Sequence, residues 1–168
     1  MGAVIMLSGP IGAGKTTVAS ELVALLPGPL SYIEGDTFWR HIKKPKHGGR
    51  RENFRVIMRA MTAAALPFAR SGYDVIIDFS IPPEFLKSAA AILKDIPLDF
   101  VSLRPSEAVC ATRAANRAEG KILDYASYSD FYALFDGMER YTIHDDRADA
   151  AAIAMRIQEG LRKGAFRV

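Results

Sequence analysis

Short apolar runs alternate with amphipathic stretches along the chain. The runs have the length of strands and cover residues 3–7, 30–34, 74–79, 98–103 and 140–144. Between them, apolar residues recur every three or four positions, as they do on one face of a helix. This alternation predicts a three-layer α/β protein, with a five-stranded parallel sheet covered by helices on both faces.

Breakers and periodicity set the expected helices. These cover residues 17–26, 54–71, 82–94, 105–118 and 148–161, and an aromatic stripe predicts one more. The stripe consists of Tyr128, Phe131, Tyr132, Phe135 and Met138 and is expected to pack in the core. No repeat, low-complexity segment or long linker interrupts the pattern. We therefore expect a single domain over residues 1–168.

A glycine-rich segment lies between the first predicted strand and the first predicted helix. It fits G-x-x-x-x-G-K-[ST], the pattern of a loop whose amides hold phosphates. The charge of Lys15 suits the outer phosphates of a nucleoside triphosphate, and the hydroxyl group of Thr16 suits magnesium. The predicted nucleotide-binding residues are Gly9, Pro10, Ile11, Gly12, Ala13, Gly14, Lys15, Thr16 and Thr17.

Other chemistry-bearing residues follow the predicted strands. Ligands of parallel sheets bind beyond the carboxyl ends of the strands, where Asp36, Asp78, Arg104 and His144 are expected. Asp36 is a candidate general base for an acceptor hydroxyl, although a turn or cap residue is the alternative. Asp78 closes a buried strand and is expected to hold magnesium together with Thr16.

Two arginines are predicted to neutralise charge in the reaction. Arg113 and Arg117 are four residues apart, so both should lie on one face of the predicted helix over residues 105–118. Their guanidinium groups suit phosphate oxygens in the transition state, whereas a solvent-facing pair is the alternative.

The positive charge of the chain is local. The net charge is +3, yet residues 40–59 contain eight Lys or Arg and one acidic residue, and the rest contains 14 basic and 18 acidic residues. This basic segment either attracts an anionic substrate or is a solvated loop.

The apolar runs are too short to cross a membrane, which needs about 20 apolar residues. The first strand begins almost at the first residue, which leaves no room for a signal peptide. We therefore expect a cytoplasmic protein. The single cysteine, Cys110, cannot form an internal disulfide and is expected to be a buried core residue.

The chain resembles the small P-loop kinases of metabolites, such as gluconate kinase, shikimate kinase, adenylate kinase and chloramphenicol phosphotransferase. The residues that carry the resemblance are Gly9–Thr17, Glu34-Gly35-Asp36 and Val75-Ile76-Ile77-Asp78. The resemblance implies strand order 2-3-1-4-5, ATP and Mg²⁺ as cofactors, and a lid over about residues 113–127. It also implies an acceptor pocket near Asp36.

The acceptor stays open, since Thr37-Phe38-Trp39-Arg40-His41 differs from what gluconate kinases carry after Gly35-Asp36. The expected activity is ATP-dependent, Mg²⁺-assisted transfer of a phosphoryl group to a small-molecule hydroxyl. One alternative is a nucleotide or polynucleotide kinase, whose basic segment would follow phosphates. Another is an ATP-binding regulatory protein. The absence of N-K-x-D argues against a signalling GTPase.

Overall fold

Five parallel strands form the centre of the protein, in the order β2-β3-β1-β4-β5. They are β1 (Val4–Ser8), β2 (Leu30–Glu34), β3 (Asp74–Asp78), β4 (Leu98–Leu103) and β5 (Thr142–Ile143). The structure is a computed structural model that describes residues 1–45, 49–118 and 120–168. The predicted fold class and strand order are therefore confirmed.

In the described part of the chain, six α-helices cover the two faces of the sheet. They are α1 (Lys15–Leu25), α2 (Gly49–Arg70), α3 (Leu86–Leu93), α4 (Glu107–Ala115), α5 (Ser129–Ala133) and α6 (Ala150–Arg162). Two 3₁₀ helices near the carboxyl end of the sheet, Gly35–His41 and Pro83–Phe85, connect strands to helices.

The strands β1, β3 and β4 are almost wholly buried, because the sheet has helices on both sides. Alternate side chains of β1 consequently enter different cores. Met6 packs in the core that includes residues of α2 and α3, whereas Leu7 packs in the core that includes residues of α1 and α6. This two-sided burial fixes the register of the sheet and hence the level at which each strand ends.

The register brings the ends of the first three strands together. Asp78 of β3 lies opposite Leu7 of β1 and Glu34 of β2. The segments that follow these strands therefore leave the sheet from one edge, where a ligand of a parallel sheet is expected.

Several predicted elements differ from the structure. The helix expected from residue 54 begins at Gly49, and the one expected over residues 82–94 is a 3₁₀ turn followed by α3. The helix predicted to reach residue 118 ends at Ala115, because the backbone departs from helical geometry at the C-cap residue, Asn116. The fifth strand is shorter than predicted, since Glu139–Tyr141 forms a 3₁₀ turn before β5. The aromatic stripe is not one helix: it contains a 3₁₀ turn and the short helix α5.

Within the described parts of the chain, no helix is long and apolar enough to cross a membrane. Cys110 is fully buried, as expected for a core residue.

Candidate active site

Glycines shape the loop between β1 and α1. Gly9, Gly12 and Gly14 have φ angles of +137°, +83° and +89°, which side-chain-bearing residues rarely adopt. Two of them also meet neighbouring backbone. A Cβ on Gly9 would lie 2.1 Å from the Leu103 carbonyl oxygen, and one on Gly12 would lie 2.2 Å from that of Cys110. The loop therefore lies directly against the end of β4 and the start of α4.

Three carbonyl groups of the loop accept hydrogen bonds from side chains. The Pro10 oxygen accepts from Lys15 Nζ at 3.0 Å, that of Ile11 from the Tyr125 hydroxyl at 2.7 Å, and that of Ala13 from Arg113 at 3.4 Å. In a trans peptide the N–H points away from the C=O. Fixing these carbonyls therefore also fixes the direction of the neighbouring amide donors.

Lys15 is the first residue of α1, so its charge adds to the positive end of the helix dipole. The side chain is partly buried. Burial lowers the pKa of Lys15, while the nearby carboxylates of Asp78 and Asp36 act in the opposite direction. A bound phosphate would favour the charged form further.

Asp78 ends β3 and is 4% exposed. Its Oδ2 accepts a hydrogen bond from the Thr16 hydroxyl at 2.7 Å and another from the Tyr32 hydroxyl at 2.9 Å. Burial raises the pKa of Tyr32, and the charge of Asp78 raises it further. Tyr32 therefore remains a donor to Asp78 across the physiological range.

Thr16 and Asp78 fit a magnesium ion that also binds phosphates. Both offer oxygen atoms, which Mg²⁺ prefers, and the two atoms are close enough to share one ion or its water ligands. Among the described residues there is no cluster of three or more His, Cys, Asp or Glu suited to a metal. An ion at Thr16 and Asp78 would be held mainly by phosphates and water, as is usual for Mg²⁺.

Asp36 lies in the 3₁₀ helix Gly35–His41 that follows β2, and its side chain is exposed. The sharp turn into this helix requires a glycine, since a Cβ on Gly35 would lie 2.5 Å from the Phe79 ring. Asp36 therefore lies just beyond the end of β2, at the same edge of the sheet as Asp78, the last residue of β3.

Arg113 and Arg117 are not on one helical face, contrary to the prediction. Arg113 is in the last turn of α4, whereas Arg117 lies beyond the end of that helix. Both nevertheless line the same cavity as the loop. The predicted lid, about residues 113–127, therefore begins in α4 and continues as a largely non-helical segment in its described part.

A cavity of about 950 Å³ joins these groups. Its lining includes, around the loop, Lys15, Thr16, Asp78, Arg113 and Arg117, and, from β2, α2 and the segments that follow β2 and β3, Glu34, Asp36, Arg50, Arg51 and Glu84. This volume is at the upper end of the range for small-molecule sites. The cavity therefore has room for more than the phosphates of a nucleotide.

Of the aromatic part of the lining, the sequence pointed only to Trp39, whose place beside Asp36 suits packing against a substrate or in the core. The aromatic lining consists of Trp39, Phe54, Phe79, Phe85, Tyr128 and Phe131. Phe54, Tyr128 and Phe131 belong to apolar stripes, and periodicity does not distinguish a side chain facing a cavity from one facing the core. Phe135, in contrast, is fully buried as predicted. For Trp39, the local feature that indicated a place in the site was its position three residues after Asp36.

Two other strand-end residues lie outside this cavity. Arg104 pairs with Asp136 and lies 4.6 Å from the centre of the Tyr132 ring. His144 Nε2 is 2.8 Å from a carboxylate oxygen of Glu139. Both line a separate cleft of about 480 Å³.

Comparison with known proteins identifies the family. Residues 4–137 match the family model described as an AAA domain. The chain belongs to this family. No curated protein matches the sequence.

Solved structures share the fold over nearly the whole chain. The tunicamycin resistance protein of Deinococcus radiodurans has a TM-score of 0.74 at 19% identity, covering 100% of this chain and 99% of that chain. The APS kinase of Mycobacterium tuberculosis has a TM-score of 0.72 at 20% identity, covering 96% and 98%. A gluconokinase from Sinorhizobium meliloti has a TM-score of 0.66 at 20% identity, covering 98% and 93%. At these identities the likeness is one of fold.

Proposed function

We propose that this protein is an ATP-dependent kinase that transfers the γ-phosphoryl group to a hydroxyl group of a small molecule. The observation that carries the proposal is that one cavity is lined both by residues of the Gly9–Thr16 loop and by Asp36. Phosphoryl transfer needs donor and acceptor in line within one water-excluding site. A protein that only bound ATP would not need the additional lined space beyond the loop.

The structural relatives support this reaction class. Those compared above include an APS kinase and a gluconokinase, and the APS kinase structure holds AMPPNP and APS. Their fold is shared over nearly the entire chain. The acceptors in these names differ, so the fold supports the donor chemistry and leaves the acceptor to be inferred from the cavity itself.

In this proposal the donor end holds the phosphates. The loop amides and Lys15 bind the β- and γ-phosphates, and Thr16 with Asp78 holds Mg²⁺. When bound, the ion neutralises charge on the phosphate oxygens. Arg113 and Arg117 stabilise the charge that develops during transfer, because their guanidinium groups offer paired donors to phosphate oxygens.

At the other end, the oxygen of the acceptor hydroxyl bonds to the γ-phosphorus, and Asp36 receives the proton that this hydroxyl loses. The bond between that phosphorus and the β–γ bridging oxygen breaks, and ADP leaves. An exposed carboxylate is adequate for this role, since the transition state is loose and the hydroxyl proton departs late.

A screen of hydroxyl compounds for ADP release above the ATP-only rate tests the proposal. We expect at least one small-molecule class to stimulate ADP release, together with a phosphorylated product detected by mass spectrometry. ATP binding with no stimulated release and no product across the panel would contradict kinase activity. That result would favour the ATP-binding regulatory protein.

The exposed basic residues favour one alternative, a polynucleotide kinase. Arg40, Lys43, Lys44, Arg55 and Arg59 are exposed and do not line the cavity. Such residues can bind a phosphate backbone outside the reaction site. Salt-dependent binding of a single-stranded oligonucleotide, followed by its phosphorylation, would support this alternative over a small-molecule acceptor.

A further inference from the structure

Four aromatic rings form a continuous group in the cavity beside Asp36. The Phe54 ring is central: its centroid lies 5.4 Å from that of Phe79, 5.4 Å from that of Phe85 and 6.1 Å from that of Trp39. Phe79 is stacked on Phe54, and the other two rings are tilted. We call these four residues the aromatic wall. All of them line the cavity.

The backbone fixes the aromatic wall next to the candidate reacting groups. Asp36 and Trp39 are three residues apart in a 3₁₀ helix, where side chains at this spacing lie above one another. Phe79 directly follows Asp78, and its ring is fixed against Gly35. Two of the four rings, Trp39 and Phe79, therefore lie on the segments that carry the carboxylates, while Phe54 comes from α2 and Phe85 from the 3₁₀ helix Pro83–Phe85.

Charge does not explain what this part of the cavity binds. Of the described residues in the basic segment 40–59, Arg50 and Arg51 line the cavity, but Glu34, Asp36 and Glu84 line it too. The Arg50 guanidinium lies 5.8 Å from the centre of the Trp39 ring, where it attracts the ring face. With carboxylates at least matching arginines, the acceptor end has no positive excess that would select a strong anion.

The aromatic wall disfavours a polyol. Hydroxyl groups placed against four rings would lose hydrogen bonds to water without gaining partners. A flat apolar ring instead gains contact area and favourable stacking or edge-to-face geometry.

We infer that the cavity beside Asp36 binds a small molecule that carries its hydroxyl group on a flat, apolar, aromatic or heteroaromatic framework. That this molecule is the phosphoryl acceptor rests on the proposed function. Its ring packs against the aromatic wall, and its hydroxyl group is directed toward Asp36. The aromatic wall selects the framework of the molecule, and the Asp36 carboxylate activates its hydroxyl group.

Trp39 provides a direct test, because it is the only tryptophan in the chain. The intact protein without ATP is titrated with phenylethanol and naphthylethanol, and in parallel with glucose and gluconate, while Trp39 fluorescence is recorded. We expect a saturable change with the two ring alcohols and none with the polyols. A saturable change with the polyols alone, or with none of the four compounds, would overturn the inference.

Two variants on α2 test whether the ring alcohols bind at the aromatic wall. Phe54→Ala is expected to weaken ring-alcohol binding by about tenfold, through lost stacking and contact area. Phe68→Ala on the same helix should leave it unchanged, since Phe68 is 43% exposed and packs on Tyr73 outside the cavity. Phe54→Leu keeps apolar volume and is the second variant, expected to weaken binding several-fold, should the alanine variant unfold.

Equal binding by the wild type and a folded Phe54 variant would also overturn the inference. The ADP-release assay is separate from these titrations. Ring-alcohol binding that is lost in the Phe54 variants, with no ADP release from any hydroxyl compound, would support the ring site and contradict the kinase. ADP release with polyols and none with ring alcohols would support the kinase and contradict the ring site.

Discussion

The donor end of the cavity consists mainly of backbone groups, whereas the acceptor end consists mainly of side chains. The donor end is formed by the continuous segment Gly9–Thr16 together with Asp78, and two carbonyl groups of this segment accept hydrogen bonds from Arg113 and Tyr125. The acceptor end, formed by Asp36, the aromatic wall and the charged residues near them, uses side chains from several separate segments.

This difference has a functional consequence. Backbone amides offer the same donors whatever the sequence, so a backbone site suits a constant chemical group such as a triphosphate. Side chains differ in shape and charge, so a site made from them suits a group that varies between proteins of one fold. The donor end therefore suits chemistry that is common to the fold, and the acceptor end suits recognition of one particular substrate.

The largest effect is expected from removing the central charge of the donor end. Lys15→Met should lower turnover by about 10³-fold, because one donor to the transferring phosphoryl group is lost. ATP affinity should fall as well, measured by calorimetry alongside ADP release. Lys87→Met is the control, since Lys87 is exposed and does not line the cavity. Equal turnover in the two variants would remove Lys15 from the donor end.

Asp36→Asn should affect the acceptor end alone. We expect turnover with the acceptor to fall by about 10²-fold, near the lower limit for a general base because the transition state is loose. ATP affinity should stay the same, which separates the two ends. Asp95→Asn is the control, since Asp95 is exposed and does not line the cavity. Full transfer by the Asp36 variant would exclude the base role.

The same difference explains what sequence reasoning could predict. The donor end lies in one segment with its own spacing rule, so Gly9–Thr16 and its place between β1 and α1 followed from the sequence. Asp78 followed from the apolar run that precedes it. The strand order came from the family resemblance, and the structure bears it out.

The aromatic wall could not be predicted in this way. Phe54 and Phe85 are neighbours only after α2 and the segment behind β3 fold onto one sheet edge. A phenylalanine in an apolar stripe has the same pattern whether it faces a core or a cavity. The end of α4 was missed for a related reason: nothing local in residues 113–118 stops a helix as proline would.

The close approach between the Gly12 backbone and the Cys110 backbone can be tested by comparing substitutions at two glycines. Gly12 and Gly28 have φ angles of +83° and +87°, but only Gly12 has no room for a Cβ. Gly28→Ala should cost about 1 kcal/mol in the free energy of unfolding, from the backbone conformation alone. Gly12→Ala should cost about 2 kcal/mol more, because the loop must move away from Cys110. Chemical denaturation measures both, and equal losses would show that the close approach is unimportant.

The smallest effect is expected where the two ends meet. Tyr32 belongs to β2, the strand that leads to Asp36, yet its hydroxyl donates to Asp78 at the donor end. Tyr32→Phe keeps the ring and removes this hydrogen bond, so Asp78 keeps only its Thr16 donor among the hydrogen bonds described.

We expect about a fivefold rise in the Mg²⁺ concentration needed for half-maximal turnover, which corresponds to the net loss of about 1 kcal/mol for one hydrogen bond. Turnover at saturating Mg²⁺ should change little, which distinguishes positioning of Asp78 from a direct part in transfer. Tyr73→Phe is the matched control, since Tyr73 is similarly exposed at 40% and lies away from the cavity. An unchanged Mg²⁺ requirement in the Tyr32 variant would mean that the two ends are independent of each other at Asp78.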